Sequence, residues 1–304
     1  MRRIGMLGMS PGNGHPFSFS AILNGYHDAA MAEAGWPVIH DYLARRHRSE
    51  FGVGDLRVTH AWTQDRDVTE RLCRACHIDE AVAEPGDMLG QVDAVIIARD
   101  DPASHRELAA PFLEAGLAVF IDKPLTLDPQ DLAYFSPYLA AGRLMSCSGM
   151  RFASELDALR AAPGALGNWR LARGAIVKDW ERYGVHLLDA ILPLTAATPV
   201  SVRALGAGHQ SFAITMSDGS LLSIDALGEV PPVFRIEVFG DAGQTSADIR
   251  DNFGMFRRTL WEFWRMLEQG PDRHQCQTTL AVIKTLIAGR LAAERGHEVR
   301  LDAL

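Results

Sequence analysis

The first half of the chain alternates short apolar runs with polar or glycine-rich breaks. Ile4–Met9, Leu56–Trp62, Val92–Ala98, Leu117–Ile121 and Arg143–Ser148 read as buried strands. Stretches near Ser18–Ala34, Thr69–Cys76 and Glu107–Ala115 carry helical spacing, and Trp36–Arg48 leads to a break at Phe51–Gly54. Strands that are apolar throughout are buried on both faces, so this alternation predicts a parallel sheet covered by helices. The pattern changes after about Met150. Leu166–Val177 is strand-like, Tyr183–Leu194 is helical, and Phe212–Ile224 reads as a hairpin turning at Ser217-Asp218-Gly219. Val233–Phe239 and Gln244–Ile249 pair around Gly240–Gly243, and helices near Gly254–Glu268 and Gln277–Arg295 close the chain. Strand pairs with helices predict an antiparallel sheet covered on one face. The expected domains are 1–125, joined by the strand near 143–149, and 126–304.

A length of 304 residues agrees with two domains. The formal charge of −8 argues against nucleic acid as a partner, because phosphate binding needs a basic face. No stretch approaches the ~18 continuous apolar residues of a membrane span, so no membrane partner is expected. Arg2 and Arg3 precede an apolar run, as in an export signal, but Pro11, Gly12 and Gly14 cut it short. A buried first strand is expected instead. Four cysteines are too few for a disulfide framework and fit a reducing cytoplasm. Cys73-Arg-Ala-Cys76-His77 spells a haem-attachment string, yet it falls where a helix should follow the second strand. Two half-buried thiols are expected there, and no metal site. The aromatic run Phe253, Phe256, Trp261, Phe263 and Trp264 reads as core or subunit interface.

Three groups of residues carry candidate chemistry. The loop Gly8–Gly14 joins a strand to a helix, with Ser10, Gly12, Asn13 and His15 in or beside it. Glycines let a backbone approach a phosphate, and a helix N-terminus attracts one; a plain turn is the other reading. Asp122-Lys123-Pro124 ends a buried strand, where a lysine can hold a substrate hydroxyl or simply reach solvent. His186 and Asp189 lie three apart on a helix, either as an acid/base pair or as a structural core contact.

In order and spacing these residues resemble the Gfo/Idh/MocA family of nicotinamide-dependent oxidoreductases. The stretch Val92–Thr126 is similar to the family's strand, proline loop, histidine, helix, strand and Glu-Lys-Pro motif, with His105, Ala115-Gly116 and Lys123-Pro124 in register. Met150-Arg151-Phe152, Gly184-x-His186-x-x-Asp189 and Leu260–Leu301 resemble later family segments. The resemblance implies an N-terminal Rossmann doubly wound parallel sheet, a C-terminal α+β domain on a mostly antiparallel sheet, and NAD or NADP as cofactor. It implies Lys123 and His186 as catalytic groups with Arg182 beside them, and hydride transfer at a sugar-type carbinol carbon. Cofactor contacts would come from Gly8, Ser10, Gly12, Asn13, Gly14, His15, Thr63, Asp65, Arg66, Ala98, Arg99, Asp100, His105, Asp122 and Lys123. Substrate contacts would come from Arg151, Asp179, Trp180 and Tyr183.

The chain departs from the family pattern at three places. The glycine loop is G-x-x-x-G-x-G with Pro11 inside. Thr63 stands where an acid would read the adenosine ribose, with Asp65 and Arg66 just beyond, so NAD and NADP both stay open. Arg182 replaces the first aspartate of the family's D-x-G-x-H, which would suit an anionic substrate; the other reading is an outward-turned arginine paired with Glu181 or Asp179. A lyase or hydrolase using transient oxidation, or a sensor without turnover, are the alternatives. Phe212, Ile214, Leu222, Ile224, Phe234, Ile236 and Val238 supply more apolar surface than one helical layer should cover, so a homodimer or homotetramer packed through this sheet is expected.

Overall fold

The computed structural model describes residues 1–206 and 208–304. It divides into two compact units. The first holds Met1–Leu125, Tyr134–Ser146 and Asn252–Asp272; the second holds Thr126–Ala133, Cys147–Asp251 and Arg273–Leu304.

The first unit opens with β1 (Arg2–Leu7), then α1 (His15–Asn24), α2 (Asp28–Glu33) and α3 (Pro37–Ala44). One helix over Ser18–Ala34 was the expectation. It starts earlier, because Pro16 suits a first helical turn, and it breaks at Gly25-Tyr26-His27. The His27 ring then caps α2 by accepting from the Ala30 N–H. There follow β2 (Leu56–Trp62), α4 (Arg66–Ala75), β3 (Glu80–Ala81), β4 (Ala94–Ile97), α5 (His105–Glu114) and β5 (Ala118–Ile121). Then come α6 (Pro129–Ala140), of which the second half belongs to this unit, and β6 (Leu144–Ser146). The six strands are parallel and ordered β3-β2-β1-β4-β5-β6. Chain direction across the sheet reverses between β1 and β4. In open parallel sheets, ligands bind at the carboxyl ends of strands at such a switch point.

The second unit contains α7 (Asp157–Ala161), β7 (Trp169–Ile176), α8 (Val185–Ile191), β8 (Pro199–Leu205), β9 (Gln210–Met216), β10 (Leu221–Ala226), β11 (Phe234–Gly240) and β12 (Gln244–Asp248). The helix α9 (Asn252–Gln269) returns to the first unit, and α10 (Arg273–Arg295) and β13 (Val299–Arg300) complete the second. The seven strands run β12-β11-β7-β10-β9-β8-β13, antiparallel except for β7 with β10.

Register places Phe212 opposite Ile224, Ile214 opposite Leu222, and both Ile224 and Ile236 opposite Gly174. All seven apolar residues named above therefore share one face. Leu187 of α8 lies against Gly174 on that face, and six of the seven are buried, with Phe234 half-buried. The expected surplus apolar face does not exist. The opposite face carries Arg173, Ser223, Asp225, Arg235 and Glu237, as strict alternation requires.

On α9, Phe253, Phe256 and Phe263 are buried. Phe256 meets Phe19 and Phe263 meets Phe120, so this helix is core of the first unit. On α4 and its cap, Cys73 is half-buried and Cys76 buried; burial pushes the Cys73 thiol up to about 11. Among the described residues no His, Cys, Asp and Glu cluster could hold a metal ion, and no helix is long and apolar enough to cross a membrane.

Candidate active site

The first unit gathers most of the expected cofactor residues at the carboxyl ends of β1, β4 and β5. The loop after β1 is shaped by its glycines for different reasons. At Gly14 an added Cβ would lie 2.7 Å from the Trp36 ring, a contact no rigid aromatic can accept. Gly8 has Pro16 pressed against it in the same way. Gly12 has φ 78 and open space around it. Its N–H and that of Gly14 donate to no atom of the described residues. The first turn of α1 offers less: the His15 N–H is taken by the Asn13 side chain at 2.9 Å, and Pro16 has none. The unpaired Gly12 amide under open space, with that of Gly14 behind it at the positive end of a helix, fits a phosphate group of a dinucleotide.

Beneath the loop lies a buried polar network. Ser10 donates its hydroxyl to the Asp100 carboxylate, and the Asp100 N–H donates back to Ser10 Oγ at 3.1 Å. Lys123 Nζ lies 3.5 Å from the other Asp100 oxygen, and both side chains are almost wholly buried. Asp122 accepts from Asn13 at 3.1 Å, from the Lys123 N–H at 2.9 Å, and meets His15 Nδ1 at 2.5 Å. Burial alone would raise the Asp122 carboxyl; the charge and hydrogen bond of His15, with Lys123, outweigh it and hold it below the usual range. The His15 ring is wedged between Phe19 and Phe256.

Other expected contacts are bonded within the protein. His105 is fully buried, with its ring nitrogens 2.9 Å from the Leu125 carbonyl and 3.1 Å from that of Arg99. It ties the loops after β4 and β5 together and offers a ligand no ring nitrogen; burial, the largest influence, lowers its pKa. The Ala98 side chain is fully buried and its N–H is bonded to Leu7. Arg99 forks onto Asp101. At the end of β2, Thr63 donates to the Asp65 carbonyl at 2.7 Å, and Asp65 caps α4 through the Asp67 and Val68 N–H groups. Arg66 pairs with Glu70 and with the Ala81 carbonyl. Gln64, absent from the sequence expectations, holds both the N–H and the carbonyl of Met9 at 2.7 Å and so clamps the glycine loop. Nothing in its sequence context marks it. A cavity lined by Tyr26, Arg46, Arg48, Phe51 and His77 opens at the far end of α1 from this loop, away from the strand ends.

The second unit holds the other expected residues. Arg151, expected as a substrate contact, has its guanidinium engaged within the protein. It is 3% exposed; its guanidinium is spent on Asp189, on Gln275 at 2.9 Å and on Thr279 at 3.1 Å. Trp180, expected in the same role, is packed in the core. It is fully buried, with its ring 4.1 Å from that of Phe212 and Nε1 donating to the Leu286 carbonyl. His186 is half-buried, and its Nδ1 meets Ser148 Oγ at 2.6 Å. Asp189, expected to tie His186, instead accepts from the Ser148 N–H at 2.5 Å and from Arg151. A π-helical turn, Trp180–Gly184, precedes α8; Asp179 caps it by accepting the Arg182 N–H at 2.8 Å. Such turns recur at functional sites. Tyr183 stands edge-on to His186 at 5.3 Å, and the Lys178 ammonium lies 4.9 Å from the Tyr183 ring centre. Asp179, Arg182 and Tyr183 are all half-buried.

Comparison with known proteins gives one coherent picture. Residues 34–136 match the Gfo/Idh/MocA model, described as an oxidoreductase family with an NAD-binding Rossmann fold. The chain is 28% identical over 183 residues to a UDP-N-acetylglucosamine 3-dehydrogenase of Acidithiobacillus ferrooxidans; the match spans 54% of this chain and 58% of that relative's length. The fold matches apo scyllo-inositol dehydrogenase of Lactobacillus casei, with TM-score 0.78 and 15% identity over 99% of this chain and 98% of that one. It also matches the myo-inositol dehydrogenase of the same organism, solved with NAD(H) and myo-inositol, with TM-score 0.77 and 12% identity over 99% and 96%. Strand order and the motif from β4 through Lys123-Pro124 fall within or beside the stretch matched by the family model, so the dinucleotide-binding unit is similar to that of the Gfo/Idh/MocA oxidoreductases.

Proposed function

We propose that the chain is an NAD-dependent dehydrogenase acting at a carbinol or carbonyl carbon of a sugar or sugar-derived molecule. The observation that carries this reading is Lys123: an almost buried ammonium, held by Asp100, at the carboxyl end of β5 and in the same network as the open glycine loop. When bound, the dinucleotide supplies the hydride acceptor or donor, which no side chain can. Lys123 holds the substrate oxygen and stabilises charge on it. His186, with Nδ1 engaged by Ser148, exchanges a proton through Nε2. NAD is favoured over NADP. Asp65, Asp67 and Glu70 surround the end of β2 and would repel a 2′-phosphate, while Arg66 is already paired. The relatives' substrates, a nucleotide sugar and inositols, support the sugar-type class. Arg182 supports an anionic member of it, and the cysteine content supports a cytoplasmic enzyme.

The test is titration with NADH and NADPH, followed by tryptophan fluorescence. NADH should bind at micromolar levels, about −8 kcal/mol, and more tightly than NADPH. Lys123→Met and His186→Ala should each lower turnover by ~10²–10⁴-fold with the fold intact. No binding at millimolar dinucleotide removes the reading. Binding without turnover returns the sensor alternative, and product without net NADH formation returns the lyase alternative.

A further inference from the structure

Lys178 follows β7 and has φ 61, the left-handed region. A lysine there bears strain that glycine avoids and asparagine tolerates better. Among the described residues the only other non-glycine residue with positive φ is His77, just past the C-terminus of α4, where helices ordinarily end that way. Lys178 ends no helix. Its backbone is fixed by two bonds to Gly228, N–H to carbonyl at 2.7 Å and carbonyl to N–H at 2.9 Å.

The side chain explains why a lysine is kept. It is half-buried, and among the described residues no carboxylate lies within ion-pair distance of it. The neighbouring carboxylates are engaged elsewhere: Asp179 caps the π-turn, and Asp225 takes Ser211 and His209. The ammonium instead rests over Tyr183, whose edge meets His186, the candidate acid/base. Backbone strain that persists at an unneutralised, partly desolvated cation marks a position held for function.

We propose that Lys178 is a specificity-determining residue that anchors the anionic group, phosphate or carboxylate, of a sugar substrate presented to His186. This deepens the dehydrogenase reading and rests on it for the identity of the substrate as a sugar. A cation over an aromatic ring is a ready partner for a phosphate, because the ring holds it in place without neutralising it.

The experiment combines thermal unfolding with calorimetric titration of Lys178→Gly, Lys178→Asn and Lys178→Arg. Saturating NADH is present, so that nucleotide probes cannot enter the dinucleotide site. The probes are UDP-N-acetylglucosamine, glucose 6-phosphate and glucuronate, with N-acetylglucosamine and myo-inositol as neutral controls. Wild type should bind at least one anionic probe, and the phosphate and carboxylate arms show which anion is preferred. That affinity should fall by about tenfold or more in the glycine and asparagine variants and survive in the arginine variant, as expected for a charge-assisted contact. Neutral probes should be unaffected. The Tm of Lys178→Gly should equal or exceed that of wild type by a few degrees, because strain is relieved. The proposal is overturned if wild type binds no anionic probe, if the glycine variant binds them as well as wild type, or if both small variants lose several degrees of Tm. A protein that binds NADH and oxidises neutral sugars while showing any of these outcomes keeps the dehydrogenase reading and loses this one.

Discussion

Asp122 and Asp189 are both buried carboxylates, and their surroundings drive them in opposite directions. Asp122 is held low by His15 and Lys123 against the pull of burial. A folded pKa below the unfolded one adds stability above about pH 4, and that stability drains away as pH falls through the folded value. Asp122→Asn should therefore lower Tm at pH 7, and the gap to wild type should close on acidification below about pH 4. A gap independent of pH would mean that the charge is irrelevant. For Asp189, burial is the largest influence and lifts the carboxyl above its usual range, although Arg151 and the Ser148 N–H pull it down. Its contribution is therefore greatest below the unfolded value and diminishes as pH rises through the folded one. Such a pair is fragile to halving: Asp189→Ala should cost about 3–5 kcal/mol in chemical denaturation, while the double change Arg151→Met with Asp189→Leu should recover most of it. A double variant no better than the single one would contradict this. At this scale the sequence was read well by position and less well by role. Lys123 and His186 fall where the motif puts them, because strand ends and helix starts fix Cα positions. The burial of Arg151 and Trp180 was not legible, because residue type does not reveal whether a partner reaches the side chain from a distant helix. Lys178 was invisible because no residue but glycine advertises positive φ.

The central strands of the parallel sheet were legible because β4 and β5 are short, apolar runs, and β2 coincides with its expected span. Elements whose signal is not apolar periodicity were missed. β3 has two residues, and α6 carries Pro137 in its interior. β8 begins at Pro199 and keeps only two of its seven residues buried, so it shows little alternation. The glycine loop is the element where departure from the family pattern matters most, because its glycines do separate jobs. Gly14→Ala must push its Cβ into Trp36, and overpacking of this kind costs about 1–3 kcal/mol. Gly12→Ala meets no neighbour but keeps φ 78, which costs about 1–2 kcal/mol. Gln64→Ala frees the Met9 backbone. The first two should lower Tm. All three should weaken NADH binding, with Gln64→Ala acting mainly on affinity. If Gln64→Ala binds NADH as wild type does, the clamp does not order the loop for the cofactor.

For the whole molecule, the open question raised by the sequence is self-association, and the sheet register changes its grounds. Apolar excess cannot drive it, since Phe212, Ile214, Leu222, Ile224, Ile236 and Val238 already pack beneath the helices of their own unit. What the other face offers is small and charged side chains. Ala213 and Ser223 lie side by side, Ala175 sits between Asp225 and Arg235, and Leu171 neighbours Phe239 and the exposed Leu221. Arg173 faces Glu237 in register, and Arg235 pairs with Glu237 and Asp248, so charges of both signs lie together on the face. Small residues flanked by paired charges suit a self-complementary, two-fold contact between sheets better than a solvated surface needs. The expected outcome is a concentration-independent dimer or tetramer across the micromolar range in sedimentation velocity. Ala213→Arg places an unpaired cation against its own symmetry mate and should release monomer, with circular dichroism and NADH binding preserved. A wild-type monomer across that range would show the face to be merely solvated, and an oligomer indifferent to Ala213→Arg would place the contact elsewhere.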